Sequence, residues 1–124
     1  MCGRFAITAA DAVEIAEDLA REFGIVLSPD AREELALGHR PSFNRAPGTR
    51  HWVVGDEGNI HFGAWGFEQR DRKGRLFNAR AETADRKPTF RAGFRTGRAL
   101  LICDGFYEWN TLGTREPWLF RPVG

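Results

Sequence analysis

Cysteine and histidine are scarce in this sequence, and long apolar stretches are absent. The two cysteines, Cys2 and Cys103, allow at most one disulfide, and no apolar signal segment precedes them, which favours free thiols in a reducing cytoplasm. The three histidines, His39, His51 and His61, lack the partner spacing of a metal site, so we expect neither a metal nor another cofactor. No stretch approaches the roughly 20 apolar residues that a membrane-spanning helix needs, so we expect no membrane association.

Lysine is also scarce, although cationic residues are not. Only Lys73 and Lys87 occur beside sixteen arginines, while the net charge is +1. Arginine suits bidentate phosphate contacts and stacking on flat rings. A GC-rich genome would produce the same bias, so the composition leaves both interpretations open.

The chain is long enough for one domain, which we expect to span residues 1–124. Of its 124 residues, 42% are hydrophobic, with ten phenylalanines and four tryptophans, so a folded core is expected rather than disorder.

Two helices are predicted before residue 40. Residues 9–23 carry apolar side chains on one helical face. Thr8 and Asp11 resemble a capping box at its start, and Gly24 is typical of a helix end. A second helix is predicted over residues 28–38, where a serine cap and a proline suit the first turn.

Short strands are predicted from His51 onward. The segments HWVV, GDEGN and IHFGAW predict a β-hairpin, and RALLIC, GFYEW and WLFR predict further strands. The pattern therefore indicates an α+β fold with mainly antiparallel strands.

The segment NARAET, residues 78–83, has unusual polar spacing. If it is extended, Asn78, Arg80 and Glu82 share one face, and Ala79 and Ala81 share the other. Such a face could hold an amide, a guanidinium and a carboxylate together in a site. It could equally be an exposed strand with a surface ion pair.

The segment DGFYEW, residues 104–109, places a carboxylate among aromatic residues. A bend at Asp104–Gly105 would leave Phe106 and Glu108 on one strand face. Desolvation by aromatic neighbours would raise the pKa of Glu108 and suit it to proton transfer. The alternative is a glutamate at a strand edge that faces water.

Cys2 and the loop PSFNRAPGT, residues 41–49, complete the candidates. If Met1 is removed, Cys2 carries a free α-amine and a thiol on adjacent carbons; it could also be an inert residue, as Cys103 in its apolar run is expected to be. The loop could wedge Phe43 or a proline against a nucleobase, or simply connect two elements.

These segments together resemble one family. MCGRF, the NxAPGT-type loop at residues 44–49, Trp65-Gly66, NARAET followed by KPTF, and DGFYEW occur in this order. The order and the motifs resemble the SRAP (SOS response-associated peptidase) family, the abasic-site processing proteins. The similarity covers nearly the whole chain.

The resemblance implies a reaction for Cys2. In this family Met1 is removed, and Cys2 attacks the ring-opened aldehyde of an abasic site in single-stranded DNA. An α-amine has a pKa of about 7.7–8.0, so a usable neutral fraction exists near pH 7. The amine forms an imine, and the neighbouring thiol closes a thiazolidine, which is a covalent DNA–protein crosslink.

The resemblance also implies residue roles. Asn78 would position the amino terminus or the sugar, and Glu108 would move protons during ring opening and imine formation. Arg4 and Arg80 would contact phosphate. The residues implied to contact DNA are Arg4, Asn44, Pro47, Trp65 and Arg80. A monomer bound to single-stranded DNA is expected.

The sequence departs from the family pattern in three places. Family members continue past Gly124 and carry a later catalytic histidine; the segment after Trp65-Gly66 reads FEQRDRKGRLF in place of a loop with proline and tryptophan; and Ile102 stands where proline is common. We therefore expect a barrel-like antiparallel sheet with flanking helices that is incomplete at the C-terminus.

Two other functions remain open. The chain could be a non-catalytic single-strand-binding module or a degenerate fragment, which would keep DNA affinity without a crosslink. It could also be a peptidase that uses Cys2 as its nucleophile.

Overall fold

Four helices and nine short strands make up the part of the chain that the computed structural model describes, residues 2–55, 58–69 and 72–123. The helices are α1 Ala12–Phe23, α2 Pro29–Gly38, α3 Ala81–Ala84 and α4 Arg91–Thr96. The strands are β1 Arg4–Ile7, β2 Ser42–Arg45, β3 Arg50–Gly55, β4 Ile60–Ala64, β5 Phe67–Glu68, β6 Arg75–Leu76, β7 Ala99–Leu101, β8 Gly105–Trp109 and β9 Pro117–Phe120. None of the described helices is long and apolar enough to cross a bilayer.

The strands form three antiparallel sheets, in the orders β2-β1-β8-β9, β4-β3-β7 and β5-β6. The prediction of an α+β fold with antiparallel strands is confirmed. The prediction of a barrel-like sheet is wrong for the described residues, because a barrel needs one continuous hydrogen-bonded ladder. The two larger sheets meet through side chains instead, with the rings of Phe5 on β1 and His51 on β3 centred 5.1 Å apart.

The core lies where α1 and α2 cover strands β1 and β3. Trp52, Ile7 and Leu35 are the largest fully buried side chains among the described residues. Ala12 and Ala16 provide the buried stripe of α1, and their small side chains let the helix approach the sheets closely. This core fixes β1, and therefore the position of the N-terminal segment.

The predicted helix ends are correct with one exception. Gly24 ends α1 in the left-handed region, at φ 68°, and the Ser28 side chain caps α2 by accepting from the Ala31 amide. The capping box at Thr8 is wrong, and α1 begins at Ala12, not at residue 9. The Asp11 carboxylate alone accepts from the first amides of the helix.

The predicted hairpin is formed by β3 and β4, whose register pairs Trp52 with Phe62 and Val54 with Ile60. The turn residues Asp56 and Glu57 lie outside the described residues. Strands β7, β8 and β9 occupy the other three apolar segments in which strands were predicted.

Thr8 is engaged by a carboxylate from the other end of the chain. Its backbone amide and its hydroxyl both donate to Asp104 Oδ2, and the Asp104 amide donates to the Ala6 carbonyl at 2.9 Å. Burial alone would raise the pKa of Asp104, but the Thr8 hydrogen bonds and the charge of Arg121 hold that pKa below its usual value. The clamp therefore ties the end of β1 to the start of β8.

Gly105 follows the clamp because no side chain fits there. A Cβ at this position would lie 2.5 Å from the Phe120 carbonyl oxygen of β9. Asp104 and Gly105 therefore form a bend in which Asp104 binds the end of β1 and Gly105 leaves room for β9 to pack closely.

Replacing Asp104 by alanine should lower the free energy of unfolding by about 1–3 kcal/mol, because two Thr8 donors lose their acceptor. Since the folded state favours the carboxylate, this stabilisation is present above pH 3.8 and is lost as the pH falls through the lower folded-state pKa. Urea unfolding of Asp104→Ala and wild type at several pH values measures both effects. Asp85→Ala, an exposed carboxylate, is the control. An Asp104→Ala variant as stable as wild type at neutral pH would contradict the clamp.

Candidate active site

Cys2 lies just before β1 and is held by its backbone. Its carbonyl accepts a hydrogen bond of 2.9 Å from Asn78 Nδ2, and its thiol lies 3.4 Å from the Arg4 carbonyl. The side chain is half-buried. Met1 lies outside the described residues. Asn78 therefore fixes the residue that would become the amino terminus after Met1 removal.

Glu108 lies at the same end of the four-stranded sheet as Cys2. Arg4 pairs with Tyr107 in the β1–β8 register, so Glu108 is the next residue of β8 in the direction of Cys2. The strand is internal, with β1 on one side and β9 on the other, and the Glu108 side chain is half-buried. The alternative of a glutamate on a water-facing edge is therefore wrong.

The NARAET segment is not a strand. Ala81–Ala84 form α3, and Arg80 is its N-cap, with φ −78° and ψ 129°. The Arg80 carbonyl accepts from the Thr83 and Ala84 amides at 3.1 and 3.0 Å. The alternating face of Asn78, Arg80 and Glu82 is therefore a wrong prediction, because Glu82 has turned into the helix.

Arg4 and Asn44 are brought together across β1 and β2. A guanidinium nitrogen of Arg4 donates to Asn44 Oδ1 at 2.9 Å. Residues 42–45 form β2, so only Pro41 and residues 46–49 of the predicted loop lie outside a strand. Phe43 points away from the core with 72% of its surface exposed. Asn44 thus orients a cation beside Cys2.

Trp65 supports the site by packing against two aromatic side chains. Its ring lies edge-on to Phe5 and Phe77, with centroids 5.2 and 6.0 Å away. Its backbone fixes the turn that contains Pro47, since the Trp65 carbonyl accepts from the Gly48 amide at 2.7 Å. Because it is half-buried between two rings, Trp65 suits support better than free stacking on a base.

The electrostatics around the site disfavour Cys103 as a nucleophile. Burial raises the pKa of its thiol, with a smaller opposing hydrogen bond from Gly105. His51 is neutral at pH 7, because burial lowers its pKa to about 4 in spite of its hydrogen bond to the Ile102 carbonyl. Among the described residues, no group of three histidine, cysteine, aspartate or glutamate side chains is arranged to hold a metal.

Comparison with known proteins gives the same assignment as these motifs. A family model described as SOS response associated peptidase (SRAP) matches residues 1–123. The chain belongs to the SRAP family.

Its relatives include proteins named for work on damaged DNA. The chain is 32% identical over 123 residues to the abasic site processing protein YedK of Escherichia coli (strain K12), covering 94% of this chain and 51% of that protein. It is 31% identical over 123 residues to the abasic site processing protein YoaM of Bacillus subtilis (strain 168), covering 93% of this chain and 50% of that protein. The chain spans about half the length of the curated relatives it matches.

Three SRAP motifs meet at one end of the four-stranded sheet. MCGRF contributes Cys2, NARAET contributes Asn78, and DGFYEW contributes Glu108. Arg80 is exposed at the start of α3, two residues after Asn78. The segment after Trp65-Gly66 forms the β5–β6 pair, except for Arg70 and Asp71, which lie outside the described residues.

Sequence reasoning missed Phe77, which lies beside the candidate site. Its ring lies 3.4 Å from where a Cβ on Gly3 would stand, so the N-terminal segment lies against it. The only signal was its place directly before Asn78.

Removing the Asn78 amide should loosen the N-terminal segment. Asn78→Ala is expected to lower the free energy of unfolding by about 1 kcal/mol, the usual net value of one hydrogen bond. Amide exchange of the peptide spanning residues 2–6 should accelerate. Asn78→Asp should do at least as much, because it places a carboxylate oxygen against the Cys2 carbonyl. Asn110→Ala, whose side chain bonds only within the β8–β9 turn, is the control. Unchanged exchange in both Asn78 variants would refute the tether.

Proposed function

We propose that this chain processes abasic sites in single-stranded DNA by forming a covalent crosslink through Cys2. The observation that carries the proposal is the hydrogen bond from Asn78 to the Cys2 carbonyl, with Glu108 at the same end of the sheet. The names of the relatives, abasic site processing proteins, support the substrate class.

The proposed chemistry uses both nucleophiles of an N-terminal cysteine. After Met1 is removed, the α-amine of Cys2 attacks the aldehyde carbon of the ring-opened sugar, and loss of one water gives an imine. The thiol sulfur then adds to the imine carbon, and its proton passes to the nitrogen. The product is a five-membered thiazolidine. Ring closure within one residue has the entropic advantage of an intramolecular reaction.

Proton transfer is assigned to Glu108. Ring opening takes a proton from the sugar hydroxyl and returns one to the ring oxygen, and water loss from the carbinolamine needs an acid. A half-buried carboxylate near Cys2 can both accept and donate these protons. Asn78 acts by position, because it binds the Cys2 carbonyl and leaves the amine and the thiol available.

Phosphate binding is assigned to two arginines. The hydrogen bond from Arg4 to Asn44 already restrains the Arg4 side chain, so less side-chain entropy is lost when Arg4 binds phosphate. Arg80 is exposed at the N-cap of α3. Pro47 would contact the bases beside the lesion, and Trp65 would support the turn that contains Pro47. All groups in this scheme lie between Cys2 and Glu108.

A crosslinking assay tests the proposal. Wild type is incubated with a single strand that carries one abasic site and is run on a denaturing gel without borohydride. A shifted band is expected, and the intact mass of the free protein should lack Met1. Cys103→Ala should give the same band. Cys2→Ala and Cys2→Ser keep the amine but lose the thiol, so they should give a band only when borohydride reduces the imine.

Three results would contradict the proposal. These are a borohydride-independent band in Cys2→Ala, a band with an undamaged strand, or no band from wild type whose Cys2 is free. Strand binding on a native gel with no covalent band would favour the non-catalytic binding module instead.

A further inference from the structure

A second concentration of positive charge lies outside the site described above. Residues 86–98 contain five of the 18 cationic side chains and no acidic residue, although the chain as a whole is nearly neutral. Three of these cations, Lys87, Arg91 and Arg95, form what we call the basic stripe. Their spacing of four residues places them on one helical face.

Backbone hydrogen bonds define the stripe as a turn followed by α4: Arg91 and Arg95 lie in the helix, and Lys87 lies in the turn before it. The Lys87 carbonyl accepts from the Arg91 amide at 2.9 Å, and the Phe90 carbonyl accepts from the Phe94 amide at 2.8 Å. Arg91 and Arg95 are therefore about 6 Å apart along the helix axis, four residues of helical rise, and the turn from Lys87 to Arg91 is closed by a hydrogen bond of the same span. This distance is comparable to the phosphate spacing of an extended nucleic-acid strand.

The side chains of the stripe are available to a ligand. All three are exposed, and none has an ion pair or a side-chain hydrogen bond within the described part of the chain. By contrast, Arg21, Arg32 and Arg75 are each paired with a carboxylate. Unpaired ammonium and guanidinium groups at regular spacing suit phosphate oxygens better than they suit mutual packing.

Phe90, the N-cap residue of α4, attaches the stripe next to Asn78. Phe90 contacts Phe67, with ring centroids 5.3 Å apart, and lines a cavity of about 260 Å³ together with Asn78 and Trp65. The segment that carries the stripe is therefore anchored beside the residue that holds Cys2.

We propose that the basic stripe binds consecutive phosphates of the DNA strand on one side of the abasic site. This inference rests on the proposed function for its choice of ligand. The stripe extends the contact beyond Arg4 and Arg80, so it raises affinity for longer strands without reading their sequence.

The test compares the variant Lys87→Gln/Arg91→Gln/Arg95→Gln with a control that loses the same charge, Arg21→Gln/Arg32→Gln/Arg115→Gln. Fluorescence anisotropy measures the affinity for a long and a short undamaged single strand over a range of salt concentrations. Each phosphate contact on a single strand contributes about 0.7 to the slope of log affinity against log salt. The stripe variant should therefore lose about 2 units of slope on the long strand, and the preference for the long strand should shrink.

Two results would overturn the inference. One is a slope that is unchanged, or reduced equally by the control variant. The other is a stripe variant that keeps strand affinity but no longer binds a polyglutamate peptide, which would assign the face to an acidic protein partner.

The crosslinking assay separates this inference from the proposed function. Loss of slope in the stripe variant, when wild type forms no crosslink, would support the stripe and contradict the crosslinking function. A wild-type crosslink with an unchanged slope would do the reverse.

Discussion

The hydrogen bond from Asn78 to the Cys2 carbonyl joins residues 76 positions apart, and the candidate site depends on it. An N-terminal residue has only one chain connection and would otherwise sample many orientations. The bond restrains Cys2 through its carbonyl, the one polar backbone group that the proposed reaction does not consume. An intramolecular ring closure needs a nucleophile that is held in place while its reacting atoms remain free.

The bond is effective because both of its partners are fixed by the fold. The Asp104 clamp and the β8 ladder hold β1 on one side, and the Phe5–His51 contact joins it to the second sheet. On the other side, the Phe77 ring lies under the segment that leads to β1, directly before Asn78. A neutral His51 suits this position, since a buried imidazolium without a carboxylate partner would be costly.

Local signals predicted the local parts of this structure. Gly24, the Ser28 cap and the β3–β4 hairpin follow from short-range rules, and the structure has each of them. The failures are cases in which a distant group competes. Thr8 does not cap α1: its amide and hydroxyl donate to the Asp104 carboxylate, 96 residues away, and Asp11 caps the helix instead. The alternating polarity of residues 78–83 favoured a strand. Residues 81–84 form a helix after Arg80 instead, because alanine and glutamate have high helix propensity. Sheet closure is set by non-local pairing, which no short motif encodes. For the site, the motifs identified which residues matter, but not that Asn78 binds the Cys2 carbonyl or that Asn44 orients Arg4.

The proposed crosslink requires Cys2 to supply both atoms that bond to the sugar. Peptide mapping by mass spectrometry of the product of wild type and an abasic single strand identifies the residue that supplies these atoms. An adduct is expected on the tryptic peptide Cys2–Arg4, with Met1 absent and a mass equal to peptide plus sugar fragment minus one water. An adduct on Cys103 or Lys73, or on a peptide that still carries Met1, would contradict it.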